Sequence, residues 1–467
     1  MFQLATSLTQ KISSELAFQY RIVPIEVIGD IIKFKTDATD IKLLQQELEI
    51  VLGYKVELER DIEKNIEQYL LSNYRKREKK NQVSSLSFTD DFLMNMLHEA
   101  KEIGSSDIHF EAFENIQRVR FRIDGKLIEK YLISKEEYPK IINRIKIMAS
   151  LDISEKRLPQ DGRINLSTET EDFDIRVSSL PTLHGEKLVL RILTKNGLVS
   201  NLDELGFTDQ ELEVYLTSVK RPNGIILISG PTGSGKTTTL YATLKLLNRT
   251  DTNILTIEDP IEYTLEGINQ VQLKENIGLD FASTLRTFLR QDPDIIMVGE
   301  IRDAKTANMA IRAALTGHLV LSTIHTNSAW TTISRLIDMK IPPFLIASTL
   351  NVSVAQRLVR KLCIHCKEEV AIQQEDFPKG FISSVSIHKH FKAVGCKECY
   401  HTGYKGRKAI YEIIPIDKEL VENIESKKVE IHTYLQEHNI ATLKDNALSL
   451  VIQGITSIEE VYSLLNE

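Results

Sequence analysis

The sequence Gly-Pro-Thr-Gly-Ser-Gly-Lys-Thr at residues 230–237 matches the phosphate-loop pattern G-x-x-x-x-G-K-[ST] at every fixed position. A short apolar, β-branched run precedes it at residues 225–229, and residues 238–248 follow with leucines at helical spacing. This order predicts a strand, a glycine loop and a helix, which is the context of a phosphate-binding loop. The flanking elements argue against a chance glycine-rich turn.

The residue types of this loop predict a bound nucleotide and a metal ion. Its glycines let backbone N–H groups close on a phosphate, and the helix that follows points the positive end of its dipole at the same anion. Lys236 would then reach the β- and γ-phosphates of ATP, and the Thr237 hydroxyl would hold Mg²⁺. The predicted nucleotide-binding residues are Gly230, Pro231, Thr232, Gly233, Ser234, Gly235, Lys236 and Thr237.

The composition is that of an ordinary globular protein. The 467 residues, with 42 % hydrophobic and 26 % charged residues, are enough for about two to four domains. Because no apolar run is long enough to span a bilayer and no secretory signal is visible at the start, we expect a cytoplasmic protein. The formal net charge of −7 gives no general attraction to nucleic acid, and the basic cluster at residues 75–80 is typical of a solvated linker.

The first part of the chain predicts a small α/β module. Gly29 and Asp30 lie between β-branched pairs and indicate a hairpin, and a possible strand lies at residues 56–58. An amphipathic helix is predicted between them, from Ile41. After the possible strand, a polar, serine-rich stretch indicates a linker. The predicted apolar face of this helix consists of Leu43, Leu44, Leu48 and Leu52.

These patterns define a domain organisation. Towards the end, residues 411–467 are predicted to be helical and without chemistry of their own, with a capping box at residues 456–459 before the final helix. We expect a docking domain at residues 1–71, a linker at 72–87, a second domain at 88–205, and an ATPase domain at 206–467 that includes a cysteine element at 361–402 and the C-terminal helices at 411–467.

One stretch of the predicted second domain carries an unusual row of arginines. Residues 117–123 alternate strictly, so Arg118, Arg120 and Arg122 share one face of a strand, and Asp124 with Gly125 indicates a hairpin turn. A strand face that is merely exposed to solvent would more often carry charges of both signs. The arginines could therefore contact a partner or a neighbouring subunit, or they could be a solvated surface.

Polar side chains follow three further apolar strands after the phosphate loop. The strands are predicted at residues 254–257, 295–298 and 319–324, with helical stretches between them, so the domain is an alternating β/α sheet. Glu258, Glu300 and His325 follow the carboxyl ends of these strands, where open parallel sheets bind ligands. The sequence therefore predicts that ATP chemistry takes place at this edge of the sheet.

The acidic residues at this edge predict two roles. Glu300 ends a strand of the Walker B type, and its carboxylate can order water on Mg²⁺ beside Thr237. Hydrolysis also needs a group that orients the attacking water, for which the candidates are Glu258, Asp259 and Glu262, with Glu262 favoured. His325 could sense the γ-phosphate or pass a signal to the next subunit, or it could be a structural histidine.

The four cysteines of the chain form two C-x-x-C pairs separated by 29 residues, at Cys363, Cys366, Cys396 and Cys399. This spacing predicts a structural Zn²⁺ held by four thiolates, since a chain expected in the cytoplasm gives no reason for disulfides. His365 and His401 lie close enough in sequence to compete as ligands, but four thiolates already complete a tetrahedral shell. A catalytic zinc is not expected, because no open position remains.

Taken together, these motifs resemble those of the type II secretion and type IV pilus assembly ATPases, within the larger secretion ATPase superfamily. The resemblance covers nearly the whole chain and implies a RecA-like motor domain preceded by a PAS-like second domain and an N-terminal docking domain. The pilus retraction motors resemble the same core but generally lack both the cysteine element and the front module, so retraction is disfavoured. The motifs are residues 106–111, 176–182, 230–237, 257–262 (Asp box), 299–303 (Walker B) and 316–327 (His box).

The resemblance also implies roles and partners. Glu262 matches the position of the catalytic glutamate, and Arg176 and Arg191 match arginines that reach a nucleotide across a domain or subunit boundary. The implied assembly is a homo-hexamer, peripheral at the inner membrane, that works with an inner-membrane platform protein and the cytoplasmic domain of a membrane assembly protein. The resemblance does not distinguish secretion from pilus assembly.

Two other classes of function remain open from the sequence. A nucleic-acid-dependent ATPase would use the row of arginines and the basic linker to bind its polymer, although net acidity and few stacking aromatics argue against it. A nucleotide-sensing scaffold without turnover would need the acidic residues at the strand ends to be idle.

Overall fold

The structure is a computed structural model of the chain. The chain divides into two compact units, one formed by Met1–Ser87 with Glu129–Ser134 and the other by Phe88–Ile128 with Lys135–Glu467. None of the helices in the described ranges is both long and apolar enough to cross a membrane. The described residues are 12, 14–28, 31–63, 65–66, 69–70, 84–86, 91–167, 172–193, 201–373, 376–378, 381, 387, 389–428 and 430–466.

The first unit contains a three-stranded sheet that follows helix α1 (Ser14–Gln19). Strands β1 (Ile22–Ile28) and β2 (Ile31–Thr36) pair antiparallel with their ends at 28 and 31 opposite each other, which confirms the predicted hairpin. The two predicted turn residues, 29 and 30, lie outside the described residues. Helix α2 (Ile41–Leu52) then leads to β3 (Lys55–Arg60), which lies parallel to β2.

The predicted apolar face of α2 needs one correction. Leu43 is 56 % exposed, whereas Leu48 is fully buried in the core of this unit, with Leu44 and Leu52 packed against it. The helix begins at the Asp40 cap, whose carboxylate accepts a hydrogen bond from the Leu43 amide at 3.1 Å. Leu43 therefore lies in the first turn and faces solvent.

Part of the expected linker is a strand. Residues 72–83 and 87 lie outside the described residues, but Ser84–Leu86 forms β4, which pairs in parallel with the end of β7 (Lys126–Ile133). Backbone hydrogen bonds do not depend on side-chain type, so a polar, serine-rich stretch can still add a short strand to a sheet edge.

The second unit begins with an antiparallel sheet of five strands in the spatial order β6-β5-β10-β9-β8. In β6 the residues between the three arginines are buried, as the predicted alternation requires. Helices α3 and α4 accompany this sheet and bury apolar residues such as Met96 and Ile145. The bounds are α3 Phe92–Glu102, β5 Ser105–Ala112, β6 Gln117–Ile123, α4 Tyr138–Met148, β8 Gln160–Ser167, β9 Asp172–Thr182 and β10 Gly185–Leu193.

The same unit contains a seven-stranded central sheet in the order β13-β12-β14-β15-β11-β16-β19. All neighbours pair in parallel except β16 and β19. The sheet is buried on both faces, because Ile225 and Leu227 of β11 belong to one core while Ile226 and Ile228 belong to the other. The strands are β11 Gly224–Ser229, β12 Ile254–Glu258, β13 Asn269–Gln272, β14 Ile295–Val298, β15 Leu319–Ile324, β16 Leu350–Leu362 and β19 Tyr404–Pro415, with β17 Lys367–Ala371 and β18 Lys389–Ala393 forming a separate pair.

Helices cover both faces of the central sheet, as expected of an alternating β/α fold. They are α5 Asp209–Val219, α6 Lys236–Leu247, α7 Phe281–Phe288, α8 Ala304–Leu315, α9 Thr331–Asp338, α10 Pro343–Thr349, α11 Lys418–Glu425, α12 His432–Glu437, α13 Leu443–Ile452 and α14 Ile458–Leu465.

The C-terminal region differs from its prediction in two details. Residues 411–415 belong to strand β19, so the helices begin only at Lys418. The last helix is capped by Ser457, which accepts from the Glu460 amide at 3.3 Å, one residue later than the predicted capping box. In a capping box the Glu460 carboxylate would also accept a hydrogen bond from the Ser457 amide. Here the Glu460 carboxylate instead binds Arg360 of β16.

A buried ion pair joins helix α4 to the antiparallel sheet. The Lys146 ammonium is fully buried and donates to Glu186 at 2.7 Å and to the Glu155 carbonyl at 2.8 Å. Glu186 also accepts from the Ser179 hydroxyl at 3.1 Å. Each charge thus has its partner, and removing one would leave the other unpaired in the interior.

We predict that Lys146→Ala lowers the free energy of unfolding of this part of the protein by about 3–5 kcal/mol, because Glu186 would remain buried without its counter-charge. Chemical denaturation followed by circular dichroism measures the change. Lys140→Ala on the exposed side of the same helix is the control. The double variant Lys146→Met, Glu186→Leu should recover most of the loss, and a Lys146→Ala protein as stable as the control would contradict the prediction.

Candidate functional site

The phosphate loop lies between the carboxyl end of β11 and the start of α6. Gly233 and Gly235 adopt positive φ angles of 81° and 89°, which favour glycine. At Gly230, with φ of 147°, a Cβ atom would lie 2.4 Å from the Gln356 carbonyl oxygen of β16. The glycines are therefore required both by the turn and by the close approach of the neighbouring strand.

Lys236 closes this loop from the first turn of α6. Its Nζ donates to the Gly230 carbonyl at 2.8 Å and to the Pro231 carbonyl at 3.0 Å. Burial lowers the pKa of Lys236, and the charge of Glu300 opposes that shift. The Ser234 hydroxyl is buried without a hydrogen-bond partner within the described ranges. Together with the amino end of a 12-residue helix, these donors form a cradle that fits a phosphate.

The Walker B glutamate and the His-box histidine come together at the ends of β14 and β15. The Nε2 atom of His325 lies 3.5 Å from the Glu300 carboxylate, which also forms an ion pair with Arg302. The Glu300 side chain is only 13 % exposed, whereas that of His325 is 49 % exposed. A hydrogen bond of 2.7 Å from the Thr323 hydroxyl to the Gly299 carbonyl fixes the two strand ends relative to each other.

Glu258, at the end of β12, is almost completely buried. Its carboxylate accepts hydrogen bonds from the Thr256 hydroxyl at 2.7 Å, from Gln270 Nε2 at 3.0 Å and from the Tyr241 hydroxyl. A carboxylate with these partners is suited to hold protein elements together. This environment favours an anchoring role over the orientation of water.

Glu262 differs from Glu258 in exposure and in its partner. Its side chain is 38 % exposed, and Nη1 of Arg176 lies 3.4 Å from its Oε2 atom. Arg176 belongs to β9 of the antiparallel sheet and also donates to the Ile261 carbonyl. The structure therefore brings together two predicted site residues from the two sheets, while Asp259 is exposed beside them.

Arg191 and the predicted row of arginines are held by two carboxylates of β5. Arg191 donates from Nε to Asp107 at 3.0 Å, and its side chain is 58 % exposed. The other three side chains are 24–34 % exposed. The ion pairs join Arg118 and Arg120 to Glu111, and Arg122 to Asp107. These pairings explain the row of arginines within the chain and weaken the nucleic-acid interpretation.

Two residues beside the phosphate loop were missed from the sequence. Gln356 accepts from the Thr239 hydroxyl at 2.9 Å, and Arg357 donates to the Asn327 carbonyl at 3.2 Å, which joins β16 to the end of the His box. Arg357 also contributes to the lowered pKa of Lys236. The sequence offered no signal for either residue, because their position depends on β16 pairing beside β11.

A cavity of about 700 Å³ lies at the far end of α6, and another of about 580 Å³ lies beside the phosphate loop. Gly235 and Thr238 from the start of α6 line the second cavity, together with Tyr411 of β19 and Asp124 of the turn after β6. The Asp124 carboxylate accepts from the Gly406 amide at 2.7 Å, which attaches this lining residue to β19. Its position suits a group attached to a phosphate held in the loop.

The four cysteines form a compact cluster. Their sulfur atoms all lie within 4.8 Å of one another, with Sγ–Sγ distances of 3.8 Å between Cys363 and Cys396 and 3.7 Å between Cys366 and Cys399. A tetrahedral ion with Zn–S bonds of about 2.3 Å separates its sulfurs by roughly 3.8 Å. The donor set and its spacing therefore fit Zn²⁺, and in the described part of the chain His365 and His401 are not members of the cluster.

The phosphate loop and the residues at the strand ends define a P-loop ATPase. The model of the type II/IV secretion system protein family matches residues 82–463, and the chain belongs to this family. The family predicted from the motifs is thereby confirmed.

Curated relatives carry names from both branches of the resemblance. The type IV pilus assembly ATPase PilB of Pseudomonas aeruginosa is 48 % identical over 79 % of this chain and 66 % of its own length. The type II secretion system ATPase E of Vibrio cholerae is 47 % identical over 80 % of this chain and 74 % of its own length. PilB of Myxococcus xanthus is 42 % identical and covers 98 % of this chain and 87 % of its own length.

Solved structures of similar fold include the Legionella pneumophila ATPase DotB, with a TM-score of 0.61, 23 % identity, and coverage of 82 % of this chain and 97 % of that chain. The pilus retraction motor PilT with bound ADP has a TM-score of 0.55 and 27 % identity, and covers 79 % of this chain and 96 % of that chain. The DotB likeness shows the fold alone, and together with the PilT likeness it confirms the predicted RecA-like fold.

We predict that protein prepared without added metal contains about one zinc per chain and that Cys396→Ser lowers both zinc content and stability. The free energy of zinc binding at such sites is on the order of 10–16 kcal/mol in small peptides, which is large beside the stability of a domain. Elemental analysis and thermal unfolding measure the two effects. His365→Ala, at an exposed residue between two of the cysteines, should keep its zinc. A zinc-free Cys396→Ser protein of unchanged stability would contradict a structural role.

Proposed function

We propose that this protein hydrolyses ATP to power the assembly of pilin-like subunits, for type II secretion or for type IV pilus extension. The observation that carries the proposal is the gathering of the phosphate loop, Glu300 and Glu262 at one edge of the central sheet. The names of the relatives at 42–48 % identity support the choice of process and do not separate the two.

The phosphate loop binds the triphosphate of ATP. The Lys236 ammonium is bound to two carbonyls of the loop. When ATP binds, its phosphates replace these carbonyls as partners of the ammonium. Thr237 would hold Mg²⁺, with Glu300 ordering water on the ion, and the ion would supply positive charge to the transferring phosphoryl group. The cavity beside Gly235 and Tyr411 receives the base and sugar, since it adjoins the loop and is large enough for them.

Glu262 orients the attacking water. Its half-exposed carboxylate can reach solvent, whereas the carboxylate of Glu258 is occupied by three protein donors. Arg176 fixes the side chain of Glu262 and can also bring positive charge to the site, as the resemblance implies for this position. His325 contacts Glu300 and is placed to respond to the γ-phosphate through it.

The working form is a homo-hexamer in which Arg191 completes the nucleotide site of a neighbouring subunit. Its side chain is 58 % exposed although Nε is bound to Asp107, which suits a contact outside its own chain. The proposed setting is the cytoplasmic face of the inner membrane, with a platform protein and the cytoplasmic domain of a membrane assembly protein as partners. The cysteine cluster is a structural Zn²⁺ site.

We predict that Lys236→Ala abolishes ATP turnover, because the loop amides cannot replace its contact to the β- and γ-phosphates.

We predict that Glu262→Gln binds ATP but hydrolyses it slowly, since the attacking water loses its orienting carboxylate. A phosphate-release assay and equilibrium binding of a fluorescent ATP analogue measure both. Normal hydrolysis by Lys236→Ala would refute the ATPase role, and normal hydrolysis by Glu262→Gln would refute the choice of base.

We predict that activity depends on assembly, because an arginine delivered to the phosphoryl group can contribute ~10³–10⁵ in rate. Lys236→Ala and Arg191→Ala chains should each be inactive, but mixing them should restore part of the activity, since some interfaces pair an intact loop with an intact arginine. Specific activity should also rise steeply with protein concentration. Equal activity per chain in monomers and assemblies, together with full activity of Arg191→Ala, would exclude this mechanism.

A further inference from the structure

A buried polar cluster joins helix α6 to the loop that carries Glu262. We call it the Tyr241 cluster, and it consists of Tyr241, Thr256, Glu258 and Gln270. Tyr241 and Thr256 are fully buried and Glu258 is 3 % exposed, while Gln270 is half-buried. The cluster draws its members from α6, β12 and β13, so its hydrogen bonds connect three successive elements of the chain through side chains.

The hydroxyl of Tyr241 lies at the centre of this cluster. Burial and the neighbouring Glu258 carboxylate raise the pKa of Tyr241, so the hydroxyl keeps its proton and donates it to Glu258. The same oxygen accepts from the backbone amide of Glu262 at 3.4 Å and from Gln270 Nε2 at 3.5 Å. The backbone of Glu262 is therefore attached to a side chain of α6.

Gln270 holds the remainder of the same loop. Its Oε1 atom accepts from the Leu265 amide at 2.7 Å, and its Nε2 atom donates to the Tyr263 carbonyl at 3.2 Å as well as to Glu258. The ring of Tyr263 packs edge-on against that of Tyr241 with centroids 4.6 Å apart. Residues 262–265 are thus fixed by hydrogen bonds and by ring packing to one buried point.

We propose that Tyr241 is a positioning residue that sets the distance between Glu262 and the phosphate loop, an inference that rests on the proposed role of Glu262. Tyr241 and Lys236 belong to the same helix, so one rigid element carries both the phosphate-binding ammonium and the anchor of the water-orienting carboxylate. Misplacing a reacting group by about 1 Å can reduce a rate ~10²-fold. Glu258 serves this arrangement by holding the hydroxyl.

The first test is Tyr241→Phe, which removes the central oxygen and keeps the ring. We expect kcat for ATP to fall roughly ten- to a hundredfold while KM and the affinity for a fluorescent ATP analogue stay unchanged, since the loop and Lys236 are untouched. Tyr215→Phe is the matched control, because Tyr215 is also fully buried and its hydroxyl bonds Thr243 of the same helix at 2.8 Å. Equal kcat in the two variants would overturn the proposal.

The second test separates positioning from a general structural effect. Tyr241→Phe is introduced into Glu262→Gln, and the residual kcat is compared with that of Glu262→Gln alone. If Tyr241 acts through Glu262, the second change costs nothing further; a further fall of the same size as in the wild type would show a structural role and overturn the proposal.

The tests also distinguish a failure of the positioning role of Tyr241 from a failure of the proposed role of Glu262. If Glu262→Gln hydrolyses ATP normally, the proposed role of Glu262 fails and the positioning proposal falls with it. If Glu262→Gln is slow and Tyr241→Phe is normal, only the positioning proposal is wrong. Should Tyr241→Phe fail to bind the ATP analogue, Gln270→Ala is judged by the same comparison, with loss of kcat in the wild type but not in Glu262→Gln as the supporting result.

Discussion

The interior position of β11 in the central sheet is the constraint on which the site depends. Its edges pair with β15 and β16, and its faces pack into two separate cores, so all its side chains are buried and its sequence must be a continuous apolar run. A strand restrained on all sides gives the loop at its carboxyl end a fixed origin. A glycine-rich loop can therefore hold a defined phosphate-binding conformation, although glycine itself restricts the backbone angles very little.

Strand β16 forms the second wall of that loop. Its backbone at Gln356 approaches so closely that a side chain at Gly230 would collide with the carbonyl, and the Gln356 side chain binds Thr239 of α6. The shape of the loop thus depends on a strand that lies far along the chain. The long pairing of β16 with β19 in turn carries the cysteine cluster, which lies in the segment that connects the two strands.

Local patterns were enough to predict much of this arrangement. The apolar runs of β11, β12, β14 and β15 were placed to within one residue, and the glycine loop and both cysteine pairs followed from spacing alone. The pairing of β16 with β19 was not predictable, because the cysteine element interrupts what would otherwise be a hairpin. The different environments of Glu258 and Glu262 were also not predictable from the sequence. They arise because Tyr241 and Gln270 donate hydrogen bonds to Glu258, and neither residue belongs to the motif at the end of the strand.

The arginines of the antiparallel sheet show how charge is arranged around the candidate base. Arg176 lies directly opposite Arg163 on one neighbouring strand and Arg191 on the other, a row of like charges that would be unfavourable alone. Each member is paired with a different carboxylate, and these are Asp174 for Arg163, Asp107 for Arg191 and Glu262 for Arg176. Asp174 and Asp107 belong to the antiparallel sheet, whereas Glu262 comes from the loop after β12. The central arginine therefore depends on the central sheet for its counter-charge, and the position of the Glu262 carboxylate is linked to the electrostatics of the antiparallel sheet as well as to the Tyr241 cluster.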